Sequence, residues 1–213
     1  LVAYQGGAYA RRYLRVVEQA AVAGREVFGE DGGIDVARAV ADNLHRLMAY
    51  KDEYEVARLL TCPAFVRRVG EAFTGPVRIH YNLQPPLMRN LGLRRKVRAG
   101  PWTRPLLASL AGLRFLRGTW LDPFRFQAIR RRERALISWY SGLVELCLDR
   151  LRPGTVELVV ELLSVPQAIR GYEHVKAESI DLAMRRAEEL VEVLCGDRVP
   201  GGRRERRDAT VAI

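Results

Sequence analysis

From Ile129 to Leu151 the apolar residues Ile129, Leu136, Tyr140, Leu143, Cys147 and Leu151 return at intervals of three, four or seven. Only a helix puts such a series on one face, so this stretch predicts a long amphipathic helix needing other helices to cover it. The same period runs through Tyr9, Tyr13, Val16, Val17, Ala20 and Val27, and through Val36, Val40, Leu44, Leu47 and Met48 behind a capping Asp35. It recurs over 104–115, over 156–164, and in Ile180, Ala183, Ala187, Leu190, Val191 and Leu194 of a last helix over 174–195. A further short helix is expected over 61–73, with Pro63 in its first turn. One stretch, Pro76–Asn82, alternates apolar and polar as a half-buried strand does, with residues 94–98 as its nearest partner. The expectation is a mainly α-helical, bundle-like single domain over residues 1–195, with at most one small β-hairpin. Residues 196–213, rich in Gly and Arg, read as a flexible basic tail or linker.

Two of the predicted helices interrupt their own core face with charge. The helix from Asp35 is read as continuing to Leu60, and its stripe then lands on Lys51, Asp52 and Glu55. The long helix is read as starting at Asp122, with Pro123 in its first position, and its stripe lands on Arg132 and Glu133. Three readings stand: a solvated helix face, a buried ion network joining Lys51, Asp52 and Glu55 to Arg132 and Glu133, or catalytic carboxylates at Asp52, Glu55 and Glu133. Ahead of the long helix, Leu116-Arg117-Gly118-Thr119-Trp120-Leu121-Asp122-Pro123-Phe124 forms a loop motif around Arg117, Gly118 and Asp122.

The net charge is +10, and nearly all of it sits in one segment. Residues 1–73 carry ten basic and ten acidic side chains, and residues 122–213 carry sixteen and fifteen. Residues 74–121 carry nine basic side chains and no acid. Arg94, Arg95, Lys96 and Arg98 are the expected contacts for an anion or an acidic partner, because they fall in a loop beside the hairpin. A generic basic surface is the competing reading. Aromatic residues in the segment are too sparse for a base-stacking platform, which argues against nucleic acid.

The three cysteines, Cys62, Cys147 and Cys195, are single and far apart, and His45, His80 and His174 show no metal-ligand spacing, so no metal site is expected. No apolar run approaches the roughly 20 residues that span a bilayer. The first residues lack the basic-then-apolar pattern of a signal peptide. Sparse, odd cysteines fit a reducing compartment, and the expected location is the cytoplasm.

Several stretches, taken together, resemble the C-terminal domain of single-chain indolepyruvate ferredoxin oxidoreductases, a branch of the 2-oxoacid:ferredoxin oxidoreductases. They are residues 48–59 (Met-Ala-Tyr-Lys-Asp-Glu-Tyr-Glu-Val-Ala-Arg-Leu), Pro85-Pro86, Gly100-Pro101-Trp102, the 116–124 loop, Arg132-Glu133-Arg134, and Ile169-Arg170-Gly171-Tyr172-Glu173-His174-Val175-Lys176. The family tends to place Gly where this chain has Arg125 and Glu173. The resemblance implies a parent enzyme that decarboxylates an aryl 2-oxoacid using thiamine diphosphate, Mg, [4Fe-4S] clusters and coenzyme A. Those groups belong to domains that the resemblance does not cover, so no cofactor is expected in this chain. It implies a C-terminal module, expected to be non-catalytic and inactive alone, and with the acid-free segment 74–121 the expectation is that it docks the catalytic domains of the parent or an acidic partner such as ferredoxin. The alternative expectation is a stand-alone basic protein binding RNA or a phosphorylated ligand.

Overall fold

The computed structural model describes residues 1–83, 97–171 and 173–196. The fold is mainly α-helical with one small β-hairpin, as the periodicity requires. Its elements are α1 (Gly7–Gly32), α2 (Ile34–Met48), α3 (Glu53–Thr61), α4 (Pro63–Glu71), β1 (Tyr81–Leu83), β2 (Val97–Ala99), α5 (Arg104–Gly112), α6 (Ala128–Asp149), α7 (Val156–Ser164) and α8 (Glu173–Leu194). Short 3-10 turns flank α5 at Pro101–Thr103 and Leu113–Leu116, so that residues 101–116 are helical throughout. The strands are antiparallel, with Tyr81 opposite Ala99, Asn82 opposite Arg98 and Leu83 opposite Val97. The alternation of residues 76–80 therefore stays outside the ladder. The predicted tail lies outside the described residues beyond position 196.

Contacts gather the chain into two compact units. The first comprises Leu1–Ala10 and Ala49–Arg131. Here α3 packs along α5. Ala57, Tyr81, Leu107 and Ala111 form a buried cluster with Leu60, Ile79 and Leu110 against it. The small side chains of Ala57 and Ala111 let the two helices approach closely, and Tyr81 brings the hairpin onto them.

The second unit comprises Arg11–Met48 and the chain from Arg132 onward. Helix α2 packs on α7, and α7 on α8. Its core collects Val36, Val40 and Leu44 of α2, Tyr140, Val144 and Cys147 of α6, Val159, Leu162 and Leu163 of α7, and Ile180 of α8. Tyr140, fully buried, donates to the carbonyl of Leu163 at 2.7 Å and lies 3.4 Å from that of Ala39, so one phenol ties α6 to α7 and α2. Gly29, at φ 75°, breaks the helical geometry inside α1. Beyond it the chain doubles back until Gly24 and Gly33 touch: a Cβ built on Gly24 would stand 2.7 Å from the Cα of Gly33.

Two helix boundaries depart from the sequence reading. The helix expected to run from Asp35 to Leu60 ends at Met48, and a new helix begins at Glu53. Asp52 causes the break, for its backbone is extended and its carboxylate caps α3 by accepting from Glu55 N at 2.8 Å. The long helix starts at Ala128 rather than at Asp122. The carboxylate of Asp122 accepts instead from Gly118 N at 2.8 Å and Phe124 N at 3.0 Å, closing the chain into turns where a first helical turn was expected.

Candidate functional site

The most constrained polar group of the first unit is Arg117, which leaves only 4% of its surface exposed. It follows the 3-10 turn ending α5, and Gly118 after it takes a positive φ of 76°. That conformation is open to glycine at little cost, and it turns the chain away sharply enough to leave Arg117 pointing inward. Its guanidinium forms a two-pronged pair with Asp52, Nε to one carboxylate oxygen and Nη2 to the other at 2.9 Å. Nη1 donates to the backbone carbonyl of Tyr4 at 2.6 Å. The planar cation lies over the Tyr4 ring at 3.6 Å, with the Tyr54 ring 5.6 Å away. Planar delocalised charge suits arginine to such a site, where fork-to-fork bonding and ring stacking act together.

Around this pair a second layer closes. The Tyr4 hydroxyl donates to the carbonyl of Tyr50 at 2.9 Å. The Tyr54 hydroxyl donates to Asp122 at 3.1 Å, and its ring meets Phe124 edge-on at 5.3 Å. Asp122, 3% exposed, thereby serves one phenol and two backbone amides. Burial and the negative charge of Asp52 push the Tyr4 hydroxyl far above its ordinary range. Tyr54 is pushed up as well, by burial and then by Asp122. Burial is the largest single influence on Arg117 and works against its charge, but the hydrogen bonds to Asp52, the charge of Asp52 and the neighbouring Tyr4 and Tyr50 together outweigh it and hold the cation more firmly than in water. At neutral pH both phenols therefore keep their protons and Arg117 keeps its charge.

The residues singled out from the sequence divide as follows. Asp52, Glu55 and Glu133 are buried, each paired with its own cation (Arg117, Arg58 and Lys176) rather than with Lys51 or Arg132 as expected. Lys51 and Arg132 are not buried. Lys51 is exposed in the link between α2 and α3, and Arg132 meets Asp181 on the exposed surface of the second unit. Glu55 is gripped by Arg58 one turn on, at 2.8 and 2.7 Å, and Glu133 accepts from Lys176. The core face of α6 runs through Glu133, Leu136, Tyr140, Leu143 and Cys147, as the stripe has it, and leaves only Arg132 outside.

Of the loop motif, Arg117 and Asp122 form the centre with Gly118 between them. Arg98 is exposed on β2. Arg94, Arg95 and Lys96 lie outside the described residues. Tyr4 was not singled out from the sequence, and Tyr54, Arg58 and Lys176 fell in the stretches of the resemblance without a role in the ion network. Tyr54 and Arg58 lie two and six residues beyond Asp52, so a search for aromatic and basic neighbours of that aspartate would have found them. Tyr4 and Lys176 carry no local signal.

Among the described residues no group of three or more His, Cys, Asp or Glu side chains is placed to hold a metal ion. The chain has three cysteines where a [4Fe-4S] cluster takes four, with Cys62 half-buried, Cys147 buried and Cys195 exposed, so its residues do not fit such a cluster. Among the described residues no helix is long and apolar enough to cross a membrane.

No curated protein and no solved structure matches the chain. A family model does, over residues 1–189, which include the whole Arg117 centre, and the chain thus belongs to a family of unknown function (DUF6537).

Proposed function

We propose that this chain is a non-catalytic docking module of an aryl 2-oxoacid (indolepyruvate) ferredoxin oxidoreductase, working in the cytoplasm. One observation carries the reading. Two stretches with the oxidoreductase resemblance, residues 48–59 and 116–124, are the ones joined by the Arg117–Asp52 pair. Every side-chain nitrogen and oxygen of that pair is engaged: both Asp52 oxygens are held by Arg117, one of them also caps α3, and Nη1 of Arg117 is taken by a carbonyl. Groups so fully engaged set the shape of a unit and have no free atom for a substrate. The carboxylates a catalytic reading needs, Asp52, Glu55 and Glu133, are likewise buried against cations.

A stand-alone basic binding protein is the second reading. The exposed Arg78, Arg98 and Arg104, in a segment without acids, favour it.

The native polypeptide decides between them. Its mass in source cells, read by an antibody raised against this chain, should exceed 24.1 kDa several-fold. Purified without oxygen, it should carry iron and thiamine diphosphate and reduce ferredoxin when given an aryl 2-oxoacid. The isolated chain should do neither. A native protein of the chain's own mass, without those groups, overturns the module reading in favour of the second.

A further inference from the structure

A helix that is apolar all round belongs in an interior. The helical run over residues 101–116 is mostly apolar, with Arg104 and Arg114 as its charges, and it is covered on one side. Thr103, Leu107 and Ala111, spaced four apart, are buried. Leu107 and Ala111 pack on Ala57 and Tyr81. The outward side carries Trp102 at 74% exposure and Leu106 at 66%, and the 3-10 turn after it leaves Leu113 and Phe115 exposed as well, Phe115 at 61%. The Trp102 ring is seated over Gly100, where an added Cβ would stand 3.1 Å from the indole Cδ1. Between residues 101 and 113 the only charge is Arg104. The loop that leaves this run adds Trp120, at 78% exposure. Exposed apolar surface on this scale marks a place of contact.

Charge indicates what makes the contact. No carboxylate occurs from residue 74 to residue 121. Arg78, Arg98 and Arg104 are exposed and have no acidic partner among the described residues. We infer that the outer face of residues 101–116 docks a folded protein whose surface sets carboxylates around an apolar centre. Aromatic side chains and arginine are what the middle of a protein interface is enriched in, and surrounding charge sets encounter rate and register. A bilayer surface suits this face less. An interfacial helix turns a polar side to water, whereas the side opposite Trp102 and Leu106 is the core of the unit. The inference rests on the docking role proposed above and names the face that performs it.

The test is photo-cross-linking of the native, full-length protein in its source cells. A photoreactive phenylalanine analogue replaces Leu106, and in a control Leu182, which is exposed on α8. Both sites are outside the core, so the fold is kept. Position 106, and not 182, should capture a peptide rich in Asp and Glu. The double variant Arg98→Glu/Arg104→Glu should lower the yield at least about fivefold, as should raising ionic strength from about 0.05 to about 0.5 M in lysate. Capture of an acidic peptide from the same polypeptide supports both the inference and the module reading. Capture of one from a separate, non-oxidoreductase protein supports the face but overturns that reading. Cross-links to lipid, to RNA or to this chain's own residues 84–96 overturn the inference. Equal yields at 106 and 182 overturn it too.

Discussion

Arg117 is a charge that water no longer reaches, and the geometry of the first unit follows from that. Removing one member of a buried pair strands the other, at a cost of about 3–5 kcal/mol. Arg117→Met should therefore lower the urea-unfolding free energy by that amount, chiefly by leaving Asp52 uncompensated at 3% exposure. Asp52→Asn should be costly as well, for it also weakens the cap of α3. Arg117→Lys should rescue little, since an ammonium cannot make the two-pronged contact or lie flat over the Tyr4 ring. The contrast is Arg132→Met, whose salt bridge to Asp181 is half open to solvent. It should cost under about 0.5 kcal/mol. A large loss there would put Arg132 back in the core, and a small loss at Arg117 would mean that the pair is not the lock described.

Helices meet closely where side chains permit it, and glycine permits most. The contact of Gly24 with Gly33 has no room for a methyl: from either residue the new Cβ falls under 3.0 Å from backbone atoms of the other. Gly24→Ala or Gly33→Ala should destabilise by about 1–3 kcal/mol, by forcing the chain apart there. Gly142, in the middle of α6 and exposed, has open space around its Cβ direction. Gly142→Ala should stabilise by about 0.5–1 kcal/mol, because alanine loses less backbone entropy on entering a helix. Thermal melts of the three variants check the pair of claims. Equal effects at all three positions would show that the close approach does not govern stability. The same reasoning applies to Asp52 and Asp122, where a local hydrogen bond decides whether a chain segment continues as helix or turns.

Buried phenols and a buried thiol make the stability of the molecule sensitive to alkali. Tyr4, Tyr54 and Tyr140 each ionise well above their ordinary value of 10.0, chiefly because burial disfavours the phenolate. Burial also pushes the Cys147 thiol up from 9.0 to about 12. The native state therefore keeps these protons at pH values where the unfolded chain has released them. Stability is at its full value below about pH 9 and falls as pH rises from there, first through Cys147 and then through the tyrosines. The slope is at most about 1.4 kcal/mol per pH unit for each group. Denaturant midpoints measured from pH 8 to 11 should decline, with tyrosinate absorbance appearing together with loss of helix. Free titration of these tyrosines at pH 10 in a fully folded protein would contradict their burial.

Apolar period alone was enough to establish a mainly helical chain, since burial of a stripe such as Leu136, Tyr140, Leu143 and Cys147 needs no knowledge of its partner. It also located Asp52, Glu55, Glu133, Arg117 and Asp122 as unusual, because charge on a core face or in a Gly-Asp-Pro loop stands out locally. Which of them meet was another matter. Arg117 and Asp52 are 65 residues apart, and Tyr4 reaches them from 113 residues away. A carboxylate at a helix start can cap its own amides or serve a distant cation, and the spacing is the same in both cases. The helix boundaries at Met48 and Ala128 were lost for this reason: Asp52 and Asp122 accept from backbone amides a few residues away as well as serving distant partners, and spacing alone does not tell such a carboxylate from one inside a helix. Desolvation made the choice, as a buried guanidinium accepts no arrangement that leaves it without a carboxylate, and the nearby backbone turned to provide one.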